Sequence, residues 1–188
     1  IGEGDRYVAP TMARPGDAVI VTKGPAIEAA GLFAATFPQQ LAERFGEDFA
    51  REAQEIFWQM SVVADARVAV SVGVRDEGVT AMHDATECGI WGGLYEIAEA
   101  SRVGLYIEQE RIPVQQPVLK ICAHFGIDPF ASISEGTLLL TCRPQWADEV
   151  VRRLAASNIL AAIVGEVRPR ERGCTLSADG RERQLAHP

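Results

Sequence analysis

The sequence predicts an α/β (α+β) domain in which helices cover a mixed β-sheet. Short apolar runs with strand composition alternate along the chain with segments whose apolar residues recur at helical spacing. The predicted order of elements is β-α-α-β-β-α-β-α-β-α-β, and such an order favours a sheet packed between helices. Apolar residues make up 47% of the 188 residues, which is enough for a sizeable core.

The composition excludes several classes of protein. The formal net charge is −8, and no stretch forms the basic stripe that nucleic acids or anionic membranes require. No apolar run approaches the ~20 residues of a membrane-spanning helix. The polar, glycine-rich start of the chain does not resemble a signal peptide. We therefore expect no nucleic-acid or membrane partner. Because the first residue is Ile1, we also expect the natural product to begin upstream.

Cysteine usage points to a reducing compartment. The four cysteines, at positions 88, 122, 142 and 174, form no CxxC pair. A structural zinc site and a disulfide framework are therefore not expected. Cys122 and Cys142 lie in apolar runs and are expected to be buried thiols. We predict a cytoplasmic protein.

The first strand and helix flank a glycine turn. The apolar run 17–22 predicts a buried strand, and 26–36 favours a helix. A strand followed by a glycine turn and a helix N-terminus can bind an anion through free backbone N–H groups. Lys23 would add a positive charge beside Gly24. The alternative is an ordinary βα turn with a solvated lysine.

A second helical pattern follows Pro38, and we expect Gly46 to divide it into two helices. Its apolar face is expected to be core or subunit interface. That face consists of Leu41, Phe45, Phe49, Ala53, Ile56, Phe57 and Met60. The alternation of valine with small residues over 68–73 then predicts a strand.

The remaining elements are marked by apolar runs and by proline and glycine boundaries. Strands are expected over 79–82, 103–107, 137–142 and 159–167, and helices over 117–126 and 144–158. We assign 1–14 to an entry segment or linker, 15–167 to the domain, and 168–188 to a charged tail with a hairpin.

The stretch from His83 to Ala98 concentrates the reactive side chains at a strand-to-helix junction. Asp84 and Glu87 have the spacing of a capping box, which would satisfy the first N–H groups of the helix. Gly92 and Gly93 would each cost the helix roughly 1 kcal/mol relative to alanine. A helix carries such glycines where a ligand, another helix or a partner subunit approaches its backbone closely.

Three functional hypotheses compete for this stretch. In the first, Thr86 and the free N–H groups of the helix hold a phosphate or carboxylate, although Glu87 places a negative charge at the same turn. In the second, Cys88 is a nucleophile activated by the helix N-terminus, with His83 as its base. In the third, His83, Asp84 and Cys88 bind a metal, but no second cluster of ligands accompanies them.

A longer pattern resembles a known family. Residues 82–101 read Met-His-Asp-Ala-Thr-Glu-Cys-Gly-Ile-Trp-Gly-Gly-Leu-Tyr-Glu-Ile-Ala-Glu-Ala-Ser. This stretch is similar to "HDPTRGGL…NEIAEAS" of hydrogenase maturation dehydratases in the aminoimidazole ribonucleotide (AIR) synthase superfamily. Other pieces occur in the family's order: Pro15-Gly16-Asp17, Ile112-Pro113-Val114, Phe125-Gly126-Ile127-Asp128-Pro129, Ser134-Glu135-Gly136-Thr137-Leu138 and 161–167.

The likeness covers residues 14–167 and corresponds to the C-terminal half of such proteins, the AIR synthase-related C-terminal domain. It implies an α/β sandwich that works beside an N-terminal domain, in a homodimer that binds ATP mainly through the N-terminal halves. The acidic, magnesium-binding segments of that half are absent upstream of residue 14. ATP and Mg²⁺ are therefore expected only in the context of the full-length protein.

Two departures from the family pattern bear on the chemistry. The family's Thr-Arg-Gly-Gly is Thr86-Glu87-Cys88-Gly89 here, so an acid replaces an arginine suited to a phosphate. The end of the chain, 184–188, resembles the approach to the family's cysteine-bearing tail but has no cysteine, and Cys174 lies well upstream of it. These differences argue against nitrile synthesis by the route of the maturation dehydratases.

The sequence therefore predicts the C-terminal domain of an ATP-dependent protein that contributes part of a phosphate or nucleotide site. We expect it to be inactive without its N-terminal half. The alternatives are a non-catalytic domain that dimerises or docks a partner, and a Cys88-dependent enzyme. The expected ligand-binding residues are Lys23, Gly24, Asp84, Thr86, Gly89, Gly92, Gly93 and Glu135, and the catalytic candidates are His83, Asp84 and Cys88.

Overall fold

A computed structural model describes residues 7–185 of the chain. The strands are β1 (Ala18–Thr22), β2 (Val79–Asp84), β3 (Gly104–Glu108), β4 (Leu138–Cys142), β5 (Ala161–Arg168), β6 (Cys174–Ala178) and β7 (Arg181–Gln184). The helices are α1 (Ile27–Thr36), α2 (Pro38–Phe45), α3 (Glu47–Gln54), α4 (Val63–Val70), α5 (Gly89–Ser101), α6 (Gln116–Phe125) and α7 (Pro144–Ala156). Within residues 7–185, no helix is long and apolar enough to cross a bilayer.

The strands form one mixed sheet in the order β2-β4-β1-β5-β3-β6-β7. Neighbouring strands are antiparallel except β3 and β6, which run parallel. The interior strand β1 is buried along its whole length, as expected of an apolar run without alternation. Ile20 pairs with Leu140 on one side and with Ile163 on the other.

Helices cover both faces of the sheet, which confirms the predicted fold class. Val19, Val21 and Leu139 point to the face covered by α5. Residues such as Ile20 and Leu140 point to the opposite face, where α4 and α7 pack. Helices α1, α2, α3 and α6 form a third apolar cluster among themselves.

The strand predicted over 68–73 is wrong, because this region belongs to α4 and the turn that follows it. Alternating valine and alanine fit a strand period as well as a helical one. The structure follows the helical period, in which Asp65, Ala66 and Ala69 are the buried residues. The predicted break at Gly46 is confirmed: α2 ends at Phe45, and Gly46 has a positive φ of 95°.

The predicted C-terminal hairpin is formed by β6 and β7. It extends the sheet, because β6 pairs with β3 and its Leu176 side chain joins the core beneath α5. Residues 1–6 of the predicted entry segment and 186–188 of the predicted tail lie outside the described residues. The domain boundaries at 14 and 167 stay predictions.

Candidate functional site

Three of the predicted segments meet at one end of the sheet. They are joined by the loop 130–137, which precedes β4 and is called the hub loop below. Its Thr137 hydroxyl donates to the Gly24 carbonyl oxygen at 2.5 Å, and its Ser134 hydroxyl accepts from the Ala26 N–H at 2.7 Å. The Ser134 N–H donates to the Thr86 carbonyl oxygen at 3.2 Å. The turn after β1 and the turn after β2 are thus tied to the same loop.

The N-terminus of α5 is covered by this loop. A Cβ at Gly89 would lie 2.5 Å from the Phe130 carbonyl oxygen and 2.7 Å from that of Ser132. The φ of Gly89 is also positive, at 63°, so glycine is required here for two independent reasons. The Phe130 ring stacks on Trp91 with 5.0 Å between centroids. Backbone and aromatic groups of the chain itself therefore lie where an anion was expected.

The capping box predicted from Asp84 and Glu87 does not form. Asp84 is the last residue of β2 and pairs with Leu138, so α5 begins only at Gly89. The residue at the N-cap position is Cys88, whose side chain makes no capping hydrogen bond. The N-cap thus lies four residues after Asp84, too far for an acid at position 84 to reach the first helical N–H groups.

Glu87 is exposed, and local hydrogen bonds hold the pKa of its carboxyl group below the usual value. The first cause is a hydrogen bond from its own backbone N–H, and the second is one from the Thr86 hydroxyl. Both donors stabilise the charged form. The Thr86 hydroxyl, which was expected to bind a phosphate, therefore donates to a carboxylate of the chain itself.

Lys23 is turned away from the predicted site and buried. Its Nζ donates to the carbonyl oxygens of Gln59 and Ser61, each at 2.9 Å, and to Asp65 Oδ2 at 3.1 Å. These three acceptors use all three donors of an ammonium group. Burial lowers the pKa of Lys23, and the neighbouring Asp65 carboxylate opposes that shift. In this conformation Lys23 offers no donor to an anion.

Gly93 of α5 faces the sheet. Gly92 and Gly93 are both buried, and a Cβ at Gly93 would lie 2.5 Å from Leu139 Cδ1 and 3.4 Å from Ala85 Cα. The role of Gly93 in this conformation is to let α5 lie close to β4 and to the end of β2. The apolar face of 41–60 is also used within the chain: Leu41, Ala53 and Ile56 belong to the helical cluster with α1 and α6.

Among the catalytic candidates, His83 contacts acidic side chains and is not paired with Cys88. His83 Nε2 lies 2.5 Å from Glu96 Oε2, and its Nδ1 lies 3.9 Å from Asp84 Oδ1. Cys88 is exposed, and no hydrogen bond joins it to His83 in the part of the chain that the structure describes. Across that same part, no group of three or more His, Cys, Asp or Glu side chains is placed to hold a metal ion.

The other cysteines are held as thiols. Burial raises the pKa of Cys122 to about 11 and that of Cys142 to about 12, and it also raises the pKa of Cys174. Desolvation opposes formation of the thiolate, which is the nucleophilic form. These three residues are therefore unsuited to nucleophilic chemistry at neutral pH.

Glu135 is half-buried, and its Oε2 is a buried atom that lacks a hydrogen-bond partner among the described residues. Glu135 follows Ser134, whose backbone N–H binds the Thr86 carbonyl oxygen of the turn 84–88. Asp84 and Glu87 are exposed at that turn. With the Lys23 charge already paired, this end of the sheet carries an excess of negative charge.

Several residues that organise the site were missed by sequence reasoning. Asp65 binds both Lys23 and the Thr22 hydroxyl, the latter at 2.6 Å. The sequence pattern that could have revealed Asp65 is an acid on the buried side of an alanine-rich segment. That pattern is recognisable only if the segment is assigned to a helix. Ser134 and Thr137 are fully buried hydroxyl residues. They flank a glycine between two apolar runs, a pattern typical of a tight loop.

Comparison with known proteins gives a consistent family. The protein-family model described as "AIR synthase related protein, C-terminal domain" matches residues 14–174 of this chain. The carbamoyl dehydratase HypE of Rhizobium leguminosarum bv. viciae is 33% identical over 157 residues, which cover 82% of this chain and 41% of that protein. The chain thus spans less than half the length of this relative.

Solved structures share the fold. The crystal structure of Escherichia coli HypE, a hydrogenase maturation protein, has a TM-score of 0.73 at 24% identity, covering 97% of this chain and 53% of that one. A HypE structure in complex with ATP has a TM-score of 0.65 at 20% identity, covering 95% and 52%. At these identities the likeness shows the fold alone.

Proposed function

This chain belongs to the family of AIR synthase-related proteins through their C-terminal domain, and from that membership we propose that it is the C-terminal half of an ATP-dependent protein. In this proposal the domain contributes one wall of a nucleotide or phosphate site. Activity requires an N-terminal half that holds most of the ATP contacts. The complete protein would use ATP to activate an oxygen of an amide or a similar group.

The observation that carries the proposal is the exposed turn 84–88. The sheet and α5 bury most of the central motif, yet Asp84, Glu87 and Cys88 remain at the surface at one end of the sheet. Loop 130–137 supports this turn, because the Ser134 N–H donates to the Thr86 carbonyl oxygen. A rigidly supported polar turn is the arrangement expected of a surface that completes a site formed with another domain.

The charge of the turn favours a nucleotide that arrives with Mg²⁺ over a bare phosphate. Carboxylate oxygens are the ligands that Mg²⁺ prefers. Asp84 and Glu87 are exposed, and Glu135 Oε2 has no partner among residues 7–185. When bound, the ion would neutralise the phosphates beside these acids. Of the predicted ligand residues, Asp84 and Glu135 are the ones that this proposal retains as ligand-facing, because the Thr86 hydroxyl donates to Glu87.

The proposal includes a homodimer of the complete protein. A purely interacting domain is the second candidate, but no observation favours it. The two surfaces expected to mediate contacts are used within the chain: Gly93 of α5 packs against the sheet, and the apolar side of 41–60 packs in the cluster with α1 and α6.

A thermal-shift titration with Mg-ATP tests the dependence on a second half. The two samples are this chain alone and this chain joined to the N-terminal half of the R. leguminosarum relative. We expect stabilisation of the joined protein by about 2.7 kcal/mol at a hundredfold excess over Kd and no shift for the chain alone. Equal stabilisation of the chain alone would refute the need for the missing half. No shift in either sample would refute nucleotide binding.

A further inference from the structure

An apolar cleft of about 440 Å³ lies between α1 and the loop 127–133. Its volume falls within the range of small-molecule sites, which is roughly 300–1,000 Å³. Leu32, Phe33 and Phe37 form the α1 side, and Ile127 and Ile133 lie on the loop side. The cleft adjoins the backbone that covers the α5 N-terminus, since Ala131 and Ser132 belong to both, and it opens to solvent.

The α1 side of the cleft is a preformed aromatic wall. The Phe33 ring stacks on Phe125 of α6 with 4.3 Å between centroids, and the Phe37 ring lies 5.4 Å from Phe125. Even so, Leu32 and Phe37 each remain 40% exposed. A ligand with an apolar body would remove this surface from water without requiring the wall to rearrange.

The charge that lines the cleft is negative. Of the side chains that line it in the described chain, Glu87 is the one ionisable group. The hydrogen bonds from its own N–H and from Thr86 keep its pKa below the usual value, so it is charged at neutral pH. The residues next to two of the lining positions, Glu28 and Asp128, are acidic as well. Among residues 7–185, no lysine or arginine lines the cleft.

We propose that this cleft binds a small molecule with an aromatic or apolar body and a positive charge. The body packs on the α1 wall, and the positive charge lies beside the Glu87 carboxylate. The Phe37 ring, which lines the cleft and is 40% exposed, offers additional attraction to a cation. This inference goes beyond the proposed function, because the cleft is complete within the present chain and needs neither ATP nor a second domain.

Methyl and amide NMR of the whole chain can measure the charge preference directly. The probes are benzyltrimethylammonium, benzyl alcohol and benzoate, which share a ring and differ in charge. We expect ring-current shifts at Leu32, Ile127 and Ile133. We also expect benzyltrimethylammonium to bind about fivefold more tightly than benzyl alcohol, the factor of one partly exposed ion pair, and benzoate to bind least.

Two pairs of variants separate the charge from the wall. Glu87→Gln should abolish the preference for the cation and leave benzyl alcohol unchanged, whereas Glu47→Gln, at an exposed helix start elsewhere, should change nothing. Leu32→Lys should weaken the cation at least tenfold, since it removes apolar surface and adds a positive charge. Leu119→Lys is its matched control, because Leu119 is also a helical leucine, 38% exposed, outside the cleft.

Equal binding of the three probes would overturn the proposed ligand class, and shifts located outside the cleft would overturn the site. Methyl shifts that depend on protein concentration without any probe would show that a second copy fills the cleft, which also contradicts the proposal. None of these outcomes involves nucleotide, so they leave the test of the proposed function unaffected.

Discussion

Replacing Asp65 with alanine is expected to lower the free energy of unfolding by about 3–5 kcal/mol, the cost of leaving a buried charge without its partner. Asp65 is 2% exposed and accepts from both the Lys23 ammonium and the Thr22 hydroxyl. Without the carboxylate, the ammonium keeps two carbonyl acceptors but loses its countercharge. Urea unfolding followed by circular dichroism measures the loss.

Two further variants decide whether the pairing itself is responsible. Asp148→Ala, at an exposed position of α7, should change stability by less than about 0.5 kcal/mol. The double variant Lys23→Met, Asp65→Leu should be more stable than Asp65→Ala, because no buried charge is left unpaired. The double variant also provides a folded comparison if Asp65→Ala does not fold. A loss below about 1 kcal/mol for Asp65→Ala would contradict a buried ion pair.

Replacing Gly93 with valine is expected to cost about 1–3 kcal/mol, because the added methyl groups overpack the interface between α5 and the sheet. Even the first carbon would lie 2.5 Å from Leu139 Cδ1. If Gly93 faced a ligand instead, the substitution would spare stability, since valine has a higher helix propensity than glycine. The same urea titration distinguishes the two roles.

The control for Gly93 lies in the same helix. Ala100 is exposed near the end of α5, so Ala100→Val should cost no more than about 0.7 kcal/mol through helix propensity. A Gly93→Val variant as stable as the wild type would show that α5 does not press on β4, and it would restore the ligand-facing role first expected for this glycine.

Much of the fold was predictable because its signals are local. Apolar runs marked β1 and β4, and prolines marked the starts of α6 and α7. The exception, α4, shows the limit of such signals: alternating valine and alanine satisfy both periods. Which period wins depends on contacts with α7 and on the bond between Asp65 and Lys23, residues far apart in the chain.

The candidate site was harder to predict, because the same residues serve packing. The glycines and the lysine of the motif segments look like ligand contacts in the sequence, yet Gly93 meets Leu139 and Lys23 meets Asp65. Partners of this kind come from distant segments and cannot be read from spacing. What the sequence did locate is the turn 84–88, since a cluster of polar residues between a strand and a helix is a local pattern.

Hydrogen–deuterium exchange in the presence of Mg-ATP tests the central claim, that the turn 84–88 faces a nucleotide only when an N-terminal half is present. It compares this chain alone with the chain joined to the N-terminal half of the R. leguminosarum relative, and the β6–β7 hairpin serves as internal reference. We predict slower exchange at 84–88 and 134–137 in the joined protein, with no change in the hairpin or in the chain alone. Protection of the chain alone, or an unchanged turn in a joined protein that binds ATP, would contradict the account.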